Sequence, residues 1–241
     1  MDLSKLDAHP ANNRLKCWRA LFKWLHGRGM IDVDPAAHVL PRKAPKSEGH
    51  TAWTRADLET FRDHWPHDTP QRLCMKLLYR SCAAMVDACR IGPGMVKGGW
   101  LTMQRSKSLS LAVIPWTAET APDWFEWTGD LDKCLEAAPR HRTYIITASG
   151  KPRSEKAASQ WFSKACRAAG LGEGKSAHGL RKLRASMLRE NGATEDQRKA
   201  ILGHETGAEA EHYSKSADLR RVISGTEFPT PPNQVPTFRG K

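Results

Sequence analysis

Nothing in these 241 residues stays apolar for the roughly 20 positions that a membrane-spanning helix needs. No apolar stretch follows Met1-Asp-Leu-Ser-Lys5, so the start does not read as a secretory signal. The six cysteines (Cys17, Cys74, Cys82, Cys89, Cys134 and Cys166) form no C-x-x-C pair and no zinc spacing with histidine. They sit mostly in apolar, helical contexts and are expected to be buried thiols of a reduced, cytoplasmic protein. The carboxylates do not cluster at phosphoryl-transfer spacing, so neither a metal nor a nucleotide cofactor is expected. Acidic residues are outnumbered, 26 against 38 lysines and arginines, leaving a net charge of +12. Such an excess predicts a polyanionic partner, nucleic acid before any membrane. No internal repeat is present. The length admits one large domain, or one domain plus a fragment.

Leu15, Trp18, Leu21, Phe22 and Leu25 recur at helical spacing, and the pattern stops at Gly27 and Gly29. Asp34-Pro35 opens a short turn. Leu40 to Gly49 reads as a linker, with two prolines and several basic residues, either an interdomain strap lying close to DNA phosphates or a solvated basic loop. Thr54 caps a helix to about His64 with Asp57 as its capping partner, and Thr69-Pro70 starts another. Trp100–Met103 and Leu109–Ile114 read as two strands joined by Gln104 to Ser108. Helices are expected over 124–138, 154–169, 179–190 and from Thr194 to Leu202, with a short strand at Thr143–Ile146. The proline-rich 229–241 is expected to be a disordered tail. The division is thus 1–40, a basic linker 41–52, a main domain 53–228 and the tail. The fold is mainly α with a small antiparallel β-sheet.

The chemistry concentrates near the C-terminus. His178 and Arg181 lie three apart, so one helix presents both on one face. Gly203-His204 follows the next helical stretch, and Tyr213 stands nine residues beyond His204, room for a turn and a short helix. Each residue alone has an ordinary structural use. Together they are a phenolic nucleophile, a guanidinium for non-bridging oxygens and two histidines to move protons or donate hydrogen bonds. That set can break and rejoin a phosphodiester without metal or ATP.

The order and spacing of Ser176-Ala-His-Gly-Leu-Arg-Lys182, Leu202-Gly-His204 and Ala210-Glu-His-Tyr-Ser214 resemble the catalytic domain of the tyrosine recombinases, the phage-integrase family. The likeness runs from Ala11 to about Asp218. It implies an α+β integrase-like catalytic domain, with 1–40 as the C-terminal remnant of a helical core-binding domain. The chain begins where the family would be most of the way through that domain, which predicts weakened site-specific DNA binding. The resemblance implies that Tyr213 is the nucleophile, Arg181 a phosphate-binding arginine, His178 the acid/base and His204 a hydrogen-bond donor. Lys107, in the hairpin, would protonate the leaving 5′ oxygen. Arg42, Lys43 and Lys46 in the strap, with Arg105 and Lys182, are the expected DNA contacts. Family members act as tetramers on paired sites and exchange a C-terminal segment, for which Ser216–Ile223 is the candidate; a terminal helix folded onto its own domain is the alternative.

One position departs. The family carries its first catalytic arginine in the pattern threonine, glycine, any residue, arginine, two residues, acid. Ser81-Cys-Ala-Ala-Met-Val-Asp87 aligns without a gap, placing Asp87 on the acid and Ala84 on the arginine. Either the site is disabled at Ala84, or Arg80 reaches in from one turn earlier, or the alignment shifts and Arg90 serves. The expected function is accordingly a site-specific recombinase working through a 3′-phosphotyrosine, impaired at Ala84. The alternative is a non-catalytic DNA-binding accessory or regulatory protein derived from one. An RNA-binding protein and a His/Arg phosphatase fit less well, since the tryptophans lie at core spacing and a phosphatase has no use for Tyr213.

Overall fold

The computed structural model describes residues 3–43 and 49–224. Lys46 and the 229–241 tail therefore lie outside the described residues. The chain divides between Gly49 and His50 into two compact units.

The first unit is built on α1 (Ala8–Gly27), which stops at Gly27 as the glycine spacing predicts, with Gly29 at φ 67° just beyond. Only Ala11 and Leu15 of α1 are buried; Trp18, Leu21 and Trp24 are exposed. The Asp34 turn forms, its carboxylate accepting from the Ala36 amide at 2.8 Å. Asn12 then pairs with both backbone groups of Arg42, holding the chain back along α1.

The second unit carries the core. Helix α2 (Arg55–His64) starts at a capping box in which Thr54 and Asp57 satisfy each other's backbone amides. Helix α3 (Pro70–Ser81) begins with Pro70 in its first turn and is buried from Arg72 to Ser81, so it is the central rod of the domain. It ends at Cys82, in the left-handed region at φ 48°, and α4 (Met85–Ala88) follows. The sheet is antiparallel in the order β1 (Val96–Lys97), β2 (Trp100–Gln104), β3 (Leu111–Pro115). Leu101 pairs with Ile114 and Met103 with Ala112, and these four alternate onto the buried face.

Helices α5 (Asp130–Ala137), α6 (Glu155–Ala168) and α7 (Ala177–Glu190) follow, α7 buried along most of its length. Helix α8 (Glu195–Leu202) starts at the Thr194–Gln197 capping box and ends at Gly203. Then come α9 (Gly207–Tyr213) and α10 (Leu219–Ser224). The small sheet among helices is the expected fold class. Among the described residues, no helix is long and apolar enough to cross a membrane.

Two expected elements are corrected. The helix over 124–138 begins only at Asp130, because Glu126 takes φ 53° to bring its carboxylate to Arg184 (2.8 Å) and the Tyr79 hydroxyl (2.7 Å). The strand at 143–146 reduces to one bridge, Ile146 with Pro152. There the Tyr144 amide donates to the Ile91 carbonyl, and Arg153 and Thr147 close a tight turn on the same stretch.

Candidate active site

Three elements converge near the C-terminus of the second unit. Helix α7 presents His178 and Arg181 one turn apart on one face. The chain enters α7 beneath the segment Thr51–Trp53, whose Trp53 amide donates to the Gly179 carbonyl at 3.1 Å. A Cβ at Gly179 would stand 2.1 Å from the Thr51 carbonyl oxygen, so the residue between His178 and Leu180 has to be glycine. Helix α8 ends with Gly203 at φ 64°, where a left-handed residue turns the chain and delivers His204 toward α7. Helix α9 closes on Tyr213, and its end is tied down by Ser214: the Arg198 guanidinium donates to Ser214 Oγ at 2.6 Å.

The rings meet. The Tyr213 ring lies 4.8 Å from His204 and 5.3 Å from His178, centroid to centroid, with the Arg181 guanidinium 4.9 Å above its face. Arg181 is 6% exposed and donates from Nη2 to the Leu202 carbonyl and to His204 Nε2, both at 3.0 Å. A guanidinium has no acceptor, so His204 Nε2 accepts and the imidazole proton sits on Nδ1. That Nδ1–H and the Nε–H of Arg181 are buried donors with no partner among the described residues. Buried donors are normally satisfied, and an oxyanion is a partner that both groups could take.

Burial, then the charges of Arg181 and Arg105, pull the His204 pKa down to about 4. Burial again, with His50, Arg181, Lys182 and His212 after it, pulls His178 down to about 4. Both histidines are therefore neutral at pH 7, one a donor through Nδ1, the other a base free to accept.

Lys107 lies in the β2–β3 turn and is exposed. Asp87 anchors that turn by accepting from the Ser106 amide (2.9 Å) and hydroxyl (2.6 Å). Ser110 Oγ donates to the Gly203 carbonyl at 2.6 Å, tying the hairpin to the segment that bears His204. Ala84 caps α4 and brings no polar group.

Arg80 does not reach the site. Its guanidinium stacks 3.7 Å from the Trp127 ring and donates to the carbonyls of Thr128 (3.1 Å) and Trp116 (3.5 Å), away from Ala84. Arg90 is exposed and donates to Ser106 Oγ at 2.8 Å, bracing the hairpin from outside.

The expected DNA contacts are corrected at Arg105. It is 3% exposed, because β2's alternation carries it inward after Leu101 and Met103. Lys182 donates to the His50 carbonyl at 2.8 Å. Arg42 is exposed and directs Nη1 to the carbonyls of Ser4 and Leu6, while Lys43 is exposed. An apolar-walled cavity of about 500 Å³ lined by Leu73, Cys134, Tyr144 and Trp161 contains none of these residues.

Sequence reasoning missed the tether from Arg198 to Ser214 and the inward side chain of Arg105. The strand alternation was a readable signal for the second; nothing local marked the first.

The integrase of Enterobacteria phage 434 is 27% identical over 197 residues, 80% of this chain and 54% of that protein. The integrase of Escherichia phage lambda is 27% identical over 181 residues, 73% of this chain and 50% of that protein. The chain thus spans about half the length of these curated relatives. A structure of lambda integrase bound to DNA superposes with a TM-score of 0.70 at 22% identity, over 86% of this chain and 74% of that one. XerA recombinase superposes at 0.58 and 13% identity, over 84% and 71%. At those identities the superpositions speak for the fold. Residues 56–220 match the phage integrase family, more than half of the chain, and the protein belongs to that family of tyrosine recombinases.

Proposed function

We propose that the protein is a site-specific DNA recombinase that cuts and rejoins strands through a 3′-phosphotyrosine link. The observation that carries this reading is the meeting of Tyr213, Arg181, His178 and His204, with Arg181 and His204 each holding a buried donor that has no partner among the described residues. Tyr213 Oη attacks the scissile phosphorus and its proton passes to neutral His178. The 5′ oxygen departs and takes a proton from Lys107. Arg181 Nε and His204 Nδ1 hold the charge that builds on the non-bridging oxygens. Rejoining runs the same steps backwards: a 5′-hydroxyl attacks the phosphotyrosine and Tyr213 recovers its proton. The phosphodiester energy is kept in the covalent link, so no nucleotide is consumed and no metal is assigned.

The partner is double-stranded DNA, with a homotetramer forming on paired sites. Supporting this are the net charge of +12 and the structural neighbours, among them lambda integrase solved as a tetramer on a Holliday junction. The place of action is cytoplasmic, on nucleoid or phage DNA. Ala84 favours one other reading, an accessory DNA-binding protein without strand cleavage. The test is covalent trapping on nicked suicide duplexes taken from the ends of the host element, with Tyr213→Phe as the blank. An adduct that Tyr213→Phe abolishes is expected. Binding without an adduct in the unaltered chain would overturn the recombinase reading in favour of the accessory one.

A further inference from the structure

We infer that Arg105 supplies the second fixed positive charge of the phosphate site, taking over from the hairpin the place that alanine leaves empty at position 84. The inference rests on the recombinase reading. The side chain enters from the end of β2 and is 3% exposed. Its Nη2 donates to the Ser81 carbonyl at 2.9 Å, at the end of the helix that leads to Ala84. The Nη1 corner lies 4.0 Å from the Asp87 carboxylate, on the far side of Ala84 along the chain. The guanidinium therefore sits inside the loop that, in the family pattern, would carry the arginine.

The opposite edge faces the nucleophile's neighbours. Arg105 Nε donates to the Leu202 carbonyl at 3.2 Å, the same oxygen that accepts from Arg181 Nη2 at 3.0 Å, so the two guanidiniums converge on one atom. Arg105 Nη2 also donates to the Ile201 carbonyl at 2.7 Å. Gly203 leaves the room: a Cβ there would fall 2.7 Å from Arg105 Cγ. Two positive groups this close repel each other, and what offsets the repulsion is the Asp87 carboxylate together with the negative ends of α3 and α8, whose last carbonyls Arg105 caps. An anion bound beside Arg181 relieves the repulsion further. Arg105 acts through its field and through the Leu202 carbonyl, so it is a positioning residue rather than one that touches the phosphate.

The test compares the unaltered chain with Ala84→Arg, Arg105→Gln, Arg105→Lys and the double variant Ala84→Arg/Arg105→Gln. It has two readouts: the phosphotyrosyl adduct on the suicide duplexes, and the NMR titration of the His204 imidazole, which needs no substrate. The groups facing His204 are Arg181 from α7, Arg105 from the hairpin and Tyr213 from α9. If Arg105 already supplies the charge, Ala84→Arg changes the adduct rate less than about tenfold, whereas Arg105→Gln lowers it by more than about tenfold, short of the loss on deleting a donor that touches the oxyanion. The double variant recovers at least part of that loss, which a purely structural role would not do. In folded Arg105→Gln the His204 midpoint rises, and Arg105→Lys keeps it low.

A gain of 10² or more from Ala84→Arg alone would overturn the inference while leaving the tyrosine chemistry standing, and it does not depend on Arg105 variants folding. An unchanged His204 midpoint in folded Arg105→Gln would overturn it too. No adduct from any chain, Ala84→Arg included, would count against the recombinase reading, and the titration would still decide for or against Arg105.

Discussion

His178 and His204 are held neutral by burial and by the arginines around them, both at about 4 against an ordinary value of 6.5. Between those values the unfolded chain binds protons that the folded chain refuses, so each histidine removes stability as pH falls from about 6.5 to about 4. Urea unfolding at pH 7 and pH 5 should show a smaller loss in the double variant His178→Gln/His204→Gln than in the unaltered chain. An equal loss in both would mean the histidines are not held neutral. Gly179 is the other residue on which the site depends. Adding one methyl against the Thr51 carbonyl, as in Gly179→Ala, should cost about 1–3 kcal/mol by overpacking, read from the shift in urea midpoint. The residues of the nucleophilic set were legible because their motifs are short: a one-turn spacing, a glycine before a histidine, a nine-residue return. Arg105 was expected to contact DNA, although the alternation after Leu101 and Met103 already pointed it inward.

Among the elements, the β2–β3 hairpin carries the proposed roles of Lys107, on its turn, and Arg105, on its inner face. Asp87 holds that turn through Ser106. Removing a buried acceptor leaves its donors unsatisfied, so Asp87→Ala should lose about 1–3 kcal/mol and speed hydrogen exchange at the Ser106 amide. Unchanged exchange there would show that the turn holds itself. Helix α10 lies on α7 of its own domain, with the Asp218 amide donating to Glu190 at 2.9 Å and Ser216 meeting Ser186 at 2.8 Å. The caps at Thr54, Thr69 and Thr194 were readable because each uses neighbours within three residues. The break at Glu126 and the lost strand at 143–146 were not. Both depend on partners far along the chain.

At the scale of the whole molecule, one arrangement ties the core together and the net charge bears on the proposed partner. Arg184 is 1% exposed, stacked between Tyr79 and Phe125 and paired with Glu126, so it joins α3, α7 and the loop before α5. Glu126→Gln leaves that guanidinium buried without its counter-charge and should cost about 3 kcal/mol by chemical denaturation. A cost below 1 kcal/mol would mean that the rings and the Phe125 carbonyl suffice. The excess of positive charge should make DNA affinity fall at least tenfold between 50 and 200 mM salt through counterion release, measured by fluorescence anisotropy on a labelled duplex. A flat response would argue against phosphate contacts as the main source of affinity. The sequence by itself determined the helical caps, the hairpin's inward alternation, the basic character and the spacing of His178, Arg181, His204 and Tyr213, because each follows from periodicity, local hydrogen bonding or composition. Only the tertiary structure decided that Arg80 turns away to Trp127, that Cys82 takes a left-handed backbone where the family has glycine, and that Arg105 caps two helices beside Arg181. A buried guanidinium goes where carbonyls and counter-charges from several elements can satisfy it, and those meet only when the chain is folded.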